Sequence, residues 1–412
     1  MRPLSPSKRL IPVIALFLLF AQTSVWGVDD WIDGFEEHLS LSGFDRKVGL
    51  HLSGALDLEG YAFRHPAPGL IESNHDFLLN PRLTLFLDGQ LGPKIYLFAQ
   101  ARLDRGFDPA DASAQVRLDE YALRVTPWDD GRLNIQAGKF ATVVGKWTSR
   151  HDSWDNPFIT APLPYENLTS IWDMVAADSP TTLLEWYDSE KYLRLPIVWG
   201  PSYTTGLAVS GRLGEFDYAA EVKNAPLSSR PQAWDLGEVD FSHPTFSGRL
   251  GWKPNPAWDV GFSASTGSYL LPEASGMLPS GKGLGDYRQV TLAQDISYAW
   301  HHWQIWAEVF ENRFEIPLVG NADAAAYFIE AKYKFTPQFF GAVRWNQEVF
   351  NCFPYEDGSR IPWSYNSWRV DAALTYRFTT HIQAKLQYSF LRQERADHPD
   401  QNLVAAQFTV RF

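Results

Sequence analysis

Along most of this chain apolar and polar residues alternate with a period of two. Over 48–63, Val48, Leu50, Leu52, Leu56 and Leu58 fall on one side, and His51, Ser53, Asp57 and Glu59 on the other. Over 94–104, Ile95, Leu97, Ala99, Ala101 and Leu103 oppose Lys94, Tyr96, Gln100, Arg102 and Asp104. In 324–335, Tyr327, Ile329, Ala331, Tyr333 and Phe335 oppose Glu330, Lys332 and Lys334. In 381–390, Ile382, Ala384, Leu386, Tyr388 and Phe390 oppose Gln383, Lys385, Gln387 and Ser389. The chain ends in the same way, with Val404, Ala406, Phe408, Val410 and Phe412 on one side and Ala405, Gln407, Thr409 and Arg411 on the other. This is the pattern of strands with one apolar and one polar face, and it recurs about 16 times.

Connection lengths follow their own alternation. Short connections at 88–93, 127–131, 214–215, 253–257, 300–302, 336–338 and 379–380 are interleaved with longer ones at about 65–81, 105–114, 141–204, 225–245, 270–287, 315–323, 351–367 and 393–402. A soluble sandwich also has two-faced strands, but its loops show no such parity. The expected fold is therefore all-β, a 16-stranded antiparallel transmembrane β-barrel over 48–412 with short periplasmic turns and long extracellular loops.

Aromatic residues sort by height. Trp128, Trp252, Trp258, Trp300, Trp303, Phe335, Phe339, Phe378 and Phe412 sit beside the short turns, where a periplasmic girdle belongs. Phe140, Tyr203, Phe246, Tyr269, Phe350 and Trp368 sit beside the long loops and are expected to form the outer girdle. The 17 tryptophans and 15% aromatic content suit two such belts.

At the N-terminus, Arg2, Lys8 and Arg9 precede an apolar run, Leu10 to Phe20, and then Val25-Trp26-Gly27. This predicts a cleavable signal peptide over 1–27 and an outer-membrane location of Gram-negative type. Residues 28–47 come before the first strand. Trp31, Ile32, Phe35 and Leu39 lie near helical spacing there, which leaves a short amphipathic periplasmic helix or a linker as alternatives. Without Arg2, Lys8 and Arg9 the 36 basic residues fall to 33 against 48 acidic ones, a net charge of about −15 that excludes a nucleic-acid partner. Cys352 is the single cysteine, so neither a disulfide framework nor a CxxC metal site is available, and it reads as a small loop residue.

The 141–204 connection is far longer than a hairpin requires, and loops of that length are usually functional. It is expected to fold into the lumen as a constriction, with Lys146, Arg150, Asp152 and Asp155 as candidate lining residues and Arg150 in or near the narrowest part; a solvated cap over the mouth is the alternative. On the polar phase of the strands, the candidate wall cations are Arg102, Arg124, Lys223, Arg249, Lys332, Arg344, Arg369, Arg377 and Lys385. The candidate anions are Glu120, Glu221, Asp295, Glu308, Glu330, Glu348 and Asp371. Mixed signs predict a transverse field across a water-filled pore, and lumen salt bridges that stiffen the wall are the alternative role for each residue.

The stretch from Leu118 to Ile171, with LDEYALRV, LNIQAGKF, Val144-Gly145 and PFITAPLPYENL, resembles the phosphate-selective porin O and P family and its general-porin relatives; the C-terminal pair IQAKLQYSF and VAAQFTVRF is similar to theirs. The resemblance implies a 16-stranded passive channel, often a homotrimer, in contact with outer-membrane lipid and passing small hydrophilic solutes or ions, anions such as phosphate among them. Members that select phosphate carry an arginine row and constriction lysines, and no such row is legible in the strand pattern here.

Two other classes are weighed against the channel, an outer-membrane hydrolase and an adhesive or structural barrel. His51, Ser53, Asp57 and Glu59 share one strand face, yet a triad needs a nucleophile bonded to an oriented base, and a hydrated lumen network explains the group more simply. His151 with Asp152 and Asp155 lacks further histidine ligands at metal spacing, and His301-His302 reads as a solvated turn. Gly281-Lys282-Gly283-Leu284-Gly285 lacks phosphate-loop spacing. The chain is accordingly expected to be no enzyme and to use neither metal nor cofactor.

Overall fold

The computed structural model describes residues 26–43, 47–64, 66–105, 113–230, 240–397 and 399–412. Residues 1–25 of the predicted signal peptide lie outside them. Sixteen strands, β1 to β16 in chain order, make a closed antiparallel barrel: Val48–Phe63, Phe77–Leu91, Ile95–Arg105, Ala114–Val125, Asn134–Phe140, Thr204–Leu213, Phe216–Lys223, Thr245–Trp252, Trp258–Ser268, Arg288–Trp300, Trp303–Ile316, Gly320–Lys334, Phe339–Phe350, Ser367–Arg377, Ile382–Gln393 and Asp400–Arg411. Each pairs with its sequence neighbours, and β16 closes on β1 from Leu403↔Phe63 to Arg411↔Ala55. Closure joins the two edges that an open sheet would leave unpaired, the condition for β-structure in hydrocarbon.

The two faces are inverted relative to a soluble protein. Leu97, Leu250 and Val343 are exposed on the outside, whereas Asp57, Glu59, Glu330, Arg344 and Thr409 are buried inside, each 1% exposed or less. Exposed Trp128, Trp252, Trp258, Trp300, Trp303 and Phe335 ring the short-turn end, as an interfacial girdle requires. The outer girdle differs from expectation. Phe246 is exposed, but Phe140, Tyr203, Tyr269 and Phe350 are buried: Tyr203, Tyr269 and Phe350 pack in the core built around the long loop, and Phe140 packs with Ala122 and Ala208.

Three local features escape the period-two pattern. Pro81 lies inside β2, opposite Leu58, instead of ending the first loop; it falls just beyond the β2–β3 pairing that starts at Leu83↔Leu103, an edge position that tolerates a missing N–H. A register shift in β4 opposite Gln100 and Ala101 turns consecutive residues inward: Asp119 is buried, and Glu120 accepts the Ala141 N–H at 2.9 Å. The expected loop at 315–323 is reduced to 317–319, since β11 runs to Ile316 and β12 starts at Gly320. Cys352 begins a small hairpin in an outer loop, Cys352–Pro354 against Arg360–Pro362.

Residues Trp26–His38 form a helix, α1, followed by a short strand, Ser40–Gly43, that pairs with the start of β1. Phe412 exchanges backbone hydrogen bonds with Gly54 at 2.7 and 2.9 Å, so the N-terminal strand and the C-terminal strand lie end to end along the same edge of β1. A Cβ at Gly54 would sit 2.7 Å from the Phe412 ring and 2.9 Å from the Thr84 carbonyl. Gly54→Val is expected to destabilise the closing seam by roughly 1–3 kcal/mol, the usual effect of overpacking. A lower temperature for loss of the compact band in semi-native electrophoresis would report it.

Candidate channel constriction

The loop between β5 and β6 enters the barrel and is fastened along its length. At its start the Thr142 hydroxyl donates to Glu221 at 2.7 Å, and Lys223 Nζ donates to the Phe140 carbonyl at 2.6 Å. Glu308, on β11, then accepts the Lys146 N–H at 3.1 Å, the Trp147 N–H at 2.6 Å and the Tyr165 hydroxyl at 2.5 Å. Gly145 makes this approach possible: its φ is +76°, and a Cβ there would collide with Tyr165 and Glu308. Farther along, Arg344 donates to the Thr160 and Ala161 carbonyls at 3.1 and 3.0 Å while paired with Glu330 and Asp371, and Lys385 Nζ donates to the Asn156 carbonyl at 2.6 Å. Arg369 bridges Glu166 on the loop and Asp371 on the wall.

Apolar packing completes the attachment. Val144, Trp147, Tyr165, Leu168, Ile171, Leu195, Ile197 and Trp199 of the loop are buried with Phe310, Phe314, Phe328 and Trp363 of the opposite wall and its loops. A hydrophobic core thus occupies the lumen beside β10 to β13. Near the outer mouth Lys191 places its ammonium against the Ala67, Gly69 and Ile71 carbonyls. Burial lowers its pKa to about 8, so it remains mainly charged at neutral pH, with one proton for each acceptor.

Open space remains on the other side, between the loop and the wall of β1 to β4. A cavity of about 380 Å³ opens toward the short-turn end, lined by Asp57, Arg82, Arg102, Asp152, Trp154 and Asp155 among others. A narrower one of about 120 Å³ continues outward past Arg117, Asp119, Phe158, Tyr165 and Tyr203. Arg82, Arg102, His151 and Ser153 line both, so the two spaces meet at that level.

Three arginines on adjacent strands form a ladder there. Arg102 and Arg117 are direct cross-strand partners, and Arg82 lies diagonally beyond, opposite Asp57. Each is held from behind: Arg82 by Asp57 at 3.0 Å and Glu59 at 2.6 Å, Arg102 by Asp104, and Arg117 by Asp104 at 3.4 Å and Asp119 at 3.3 Å. The carboxylate side chains are 0–1% exposed and those of the arginines 14–17%, so the charge that meets water is guanidinium. Opposite stand Asp152, about half exposed, and the His151 ring, whose Nε2 lies 2.6 Å from the Tyr203 hydroxyl.

Of the channel-lining candidates selected from sequence, Arg102, Asp152 and Asp155 line this passage. The rest lie elsewhere. Arg150 is buried, paired with Glu330 at 2.5 Å and stacked 4.4 Å from the Trp306 ring. Lys146 pairs with Asp259 at 2.8 Å, and Arg249 sits among Asp295, Asp217 and Asp259. Arg124 lies over the Tyr96 ring. Glu120, Glu221, Lys223, Arg344, Arg369 and Asp371 hold the loop or the side chains that hold it. Arg82 and Arg117 went unnoticed in the sequence although a signal existed: Asn80-x-Arg82-x-Thr84 and Gln115-x-Arg117-x-Asp119 are both in the lumen phase. Of the hydrolase candidates, His51 meets the Ser40 hydroxyl at 2.9 Å on the exposed rim, and Asp57 and Glu59 are engaged by Arg82.

No family model matches the chain, and no curated protein sequence does. Solved structures share its fold. A loop-deletion mutant of OmpT, an outer membrane protein of Vibrio cholerae, superposes with a TM-score of 0.55 at 8% identity, over 89% of this chain and 100% of that one. Salmonella typhi OmpF in complex with daunomycin gives 0.54 at 11% identity, over 90% and 100%. An anion-selective porin from Comamonas acidovorans gives 0.54 at 10% identity, over 89% and 100%. At these identities the likeness is one of architecture.

The Glu308 anchor is open to test. Glu308→Ala leaves three donors without their acceptor, each costing roughly 1–3 kcal/mol if unmet. The loop is expected to loosen, seen as faster tryptic cleavage between Lys146 and Lys191 while the barrel itself stays folded.

Proposed function

We infer that this chain is a passive diffusion channel of a Gram-negative-type outer membrane, passing small hydrophilic solutes with a preference for anions. The observation that carries this reading is the ladder of Arg82, Arg102 and Arg117, whose guanidinium groups reach the water of the passage while their carboxylate partners stay buried. A row of fixed cations in a narrow, low-dielectric passage lowers the electrostatic barrier for anions and raises it for cations. Asp152 and Asp155 on the facing loop give the field a transverse component that orients dipolar solutes. The fold shared with porins and the sequence likeness to the phosphate-selective family support a channel, and phosphate belongs among the anions to be tried. Assembly as a homotrimer is part of the same proposal, with native mass spectrometry as its check.

Planar-bilayer recording tests the function. Ohmic single-channel steps with a reversal potential favouring chloride in a potassium chloride gradient are expected, and the preference should shrink as salt screens the arginines. Replacing Arg82, Arg102 and Arg117 by glutamine uncovers Asp57, Glu59, Asp104 and Asp119, so selectivity should turn toward cations. Absence of conductance together with esterase activity would favour the hydrolase alternative instead. Deleting about 20 residues from the infolded part of the 141–204 loop should raise conductance, since a segment of that size fills much of the lumen beside the passage. An unchanged conductance would place the limiting aperture elsewhere.

A further inference from the structure

The narrow part of the passage has two unlike walls. On the barrel side stand the guanidinium groups of Arg82, Arg102 and Arg117. On the side of the loops, the 120 Å³ space is bordered by Leu70, Ile159, Ala161 and Pro201, all half-buried, and by the buried rings of Phe158 and Trp199. Two carboxylates reach the same space and both are engaged, Asp119 by Arg117 at 3.3 Å and Glu166 by Arg369.

An inorganic anion gains nothing from the apolar wall, because water given up on that side is replaced by no hydrogen bond. A solute with an anionic edge and a hydrocarbon body suits both walls. Its carboxylate can form two parallel hydrogen bonds to a guanidinium, while its body takes apolar surface out of water. Size narrows the class further. An apolar cavity of about 150 Å³ takes up benzene, so a space of about 120 Å³ suits a single ring or an equally compact aliphatic group.

A second observation comes from Trp147. It lines the same space, is 4% exposed, and its indole Nε1 has no hydrogen-bond partner among the described residues. Buried N–H groups are rarely left without an acceptor, and a carboxylate oxygen would supply one. The site is also built in advance. The Tyr165 ring packs 4.6 Å from that of Trp147 and is fixed through its hydroxyl to Glu308 at 2.5 Å, so little ordering is left for a ligand to bring about.

We propose that this space is a subsite for a compact organic carboxylate, with the carboxylate on the arginine ladder and the Trp147 N–H, and the hydrocarbon body against Leu70, Ile159 and Phe158. The assignment rests on the reading of the chain as an anion channel and narrows it, placing organic acids ahead of phosphate and chloride among the solutes selected.

Block of the chloride current in planar bilayers by benzoate, acetate or inorganic phosphate tests the subsite. Equilibrium binding of the same anions to the full mature chain in detergent, read by tryptophan fluorescence, is the second measurement. Benzoate should bind and block at a concentration at least about tenfold below that of acetate or phosphate, the difference expected from burying a ring. Leu70→Asn should cut the benzoate-to-acetate ratio by about threefold or more. Trp147→Phe keeps the ring and removes only the N–H, so it should weaken both carboxylates alike. Equal block by all the anions would overturn the subsite and leave the anion channel standing. Conductance without anion preference, or none at all, would sink the channel reading, and the binding measurement then decides the subsite alone: a benzoate preference that Leu70→Asn diminishes sustains it, and no preference overturns it. A preference untouched by either substitution would place benzoate elsewhere and overturn the assignment as well.

Discussion

Backbone amides in hydrocarbon have no water to turn to, and the pairing of β16 with β1 is the step that leaves no edge of the sheet open. The interior follows from that closure. A sheet with lipid on its outer face puts alternate side chains into an enclosed lumen, and along this chain many of those side chains are charged or amide-bearing. Charges so enclosed must find partners or keep water, because an unpaired buried charge is far more costly than any contact it replaces.

The infolded loop divides the lumen between those two outcomes. Beside β10 to β15 its carbonyls and carboxylates meet Arg344, Arg369 and Lys385, and its aliphatic and aromatic residues build a core against Phe310, Phe314 and Phe328. Buried ion pairs of this sort add little net stability, yet breaking one by removing a partner costs about 3–5 kcal/mol. They hold the loop in one place more than they strengthen the barrel. Beside β1 to β4 the arginines have carboxylates of their own on the same or the neighbouring strand, and a gap stays open between that wall and the loop. Where the passage runs is therefore set by which wall binds the loop.

Much of the architecture was legible from residue order. Period-two alternation, the parity of turns and loops, and the aromatics beside the short turns reflect constraints that act locally on each strand, so they are written into consecutive residues. Exceptions arise where one residue breaks the period: Pro81 hides the lumen phase that carries Arg82, and the β4 register shift brings both Asp119 and Glu120 inward. In 28–47 the spacing left helix and linker open, and the helix forms.

The sequence by itself determined the class of fold and which face of each strand looks inward, because pleating converts position in the chain directly into inside or outside. Tertiary structure alone decided which inward residues meet water. Arg102 and Arg344 share the lumen phase, yet one borders the passage and the other is sealed against Thr160 and Ala161, since that depends on the loop lying opposite, nearly 200 positions away in the chain. For the same reason Tyr203, Tyr269 and Phe350, placed by sequence in an outer girdle, are buried instead in the core built around that loop.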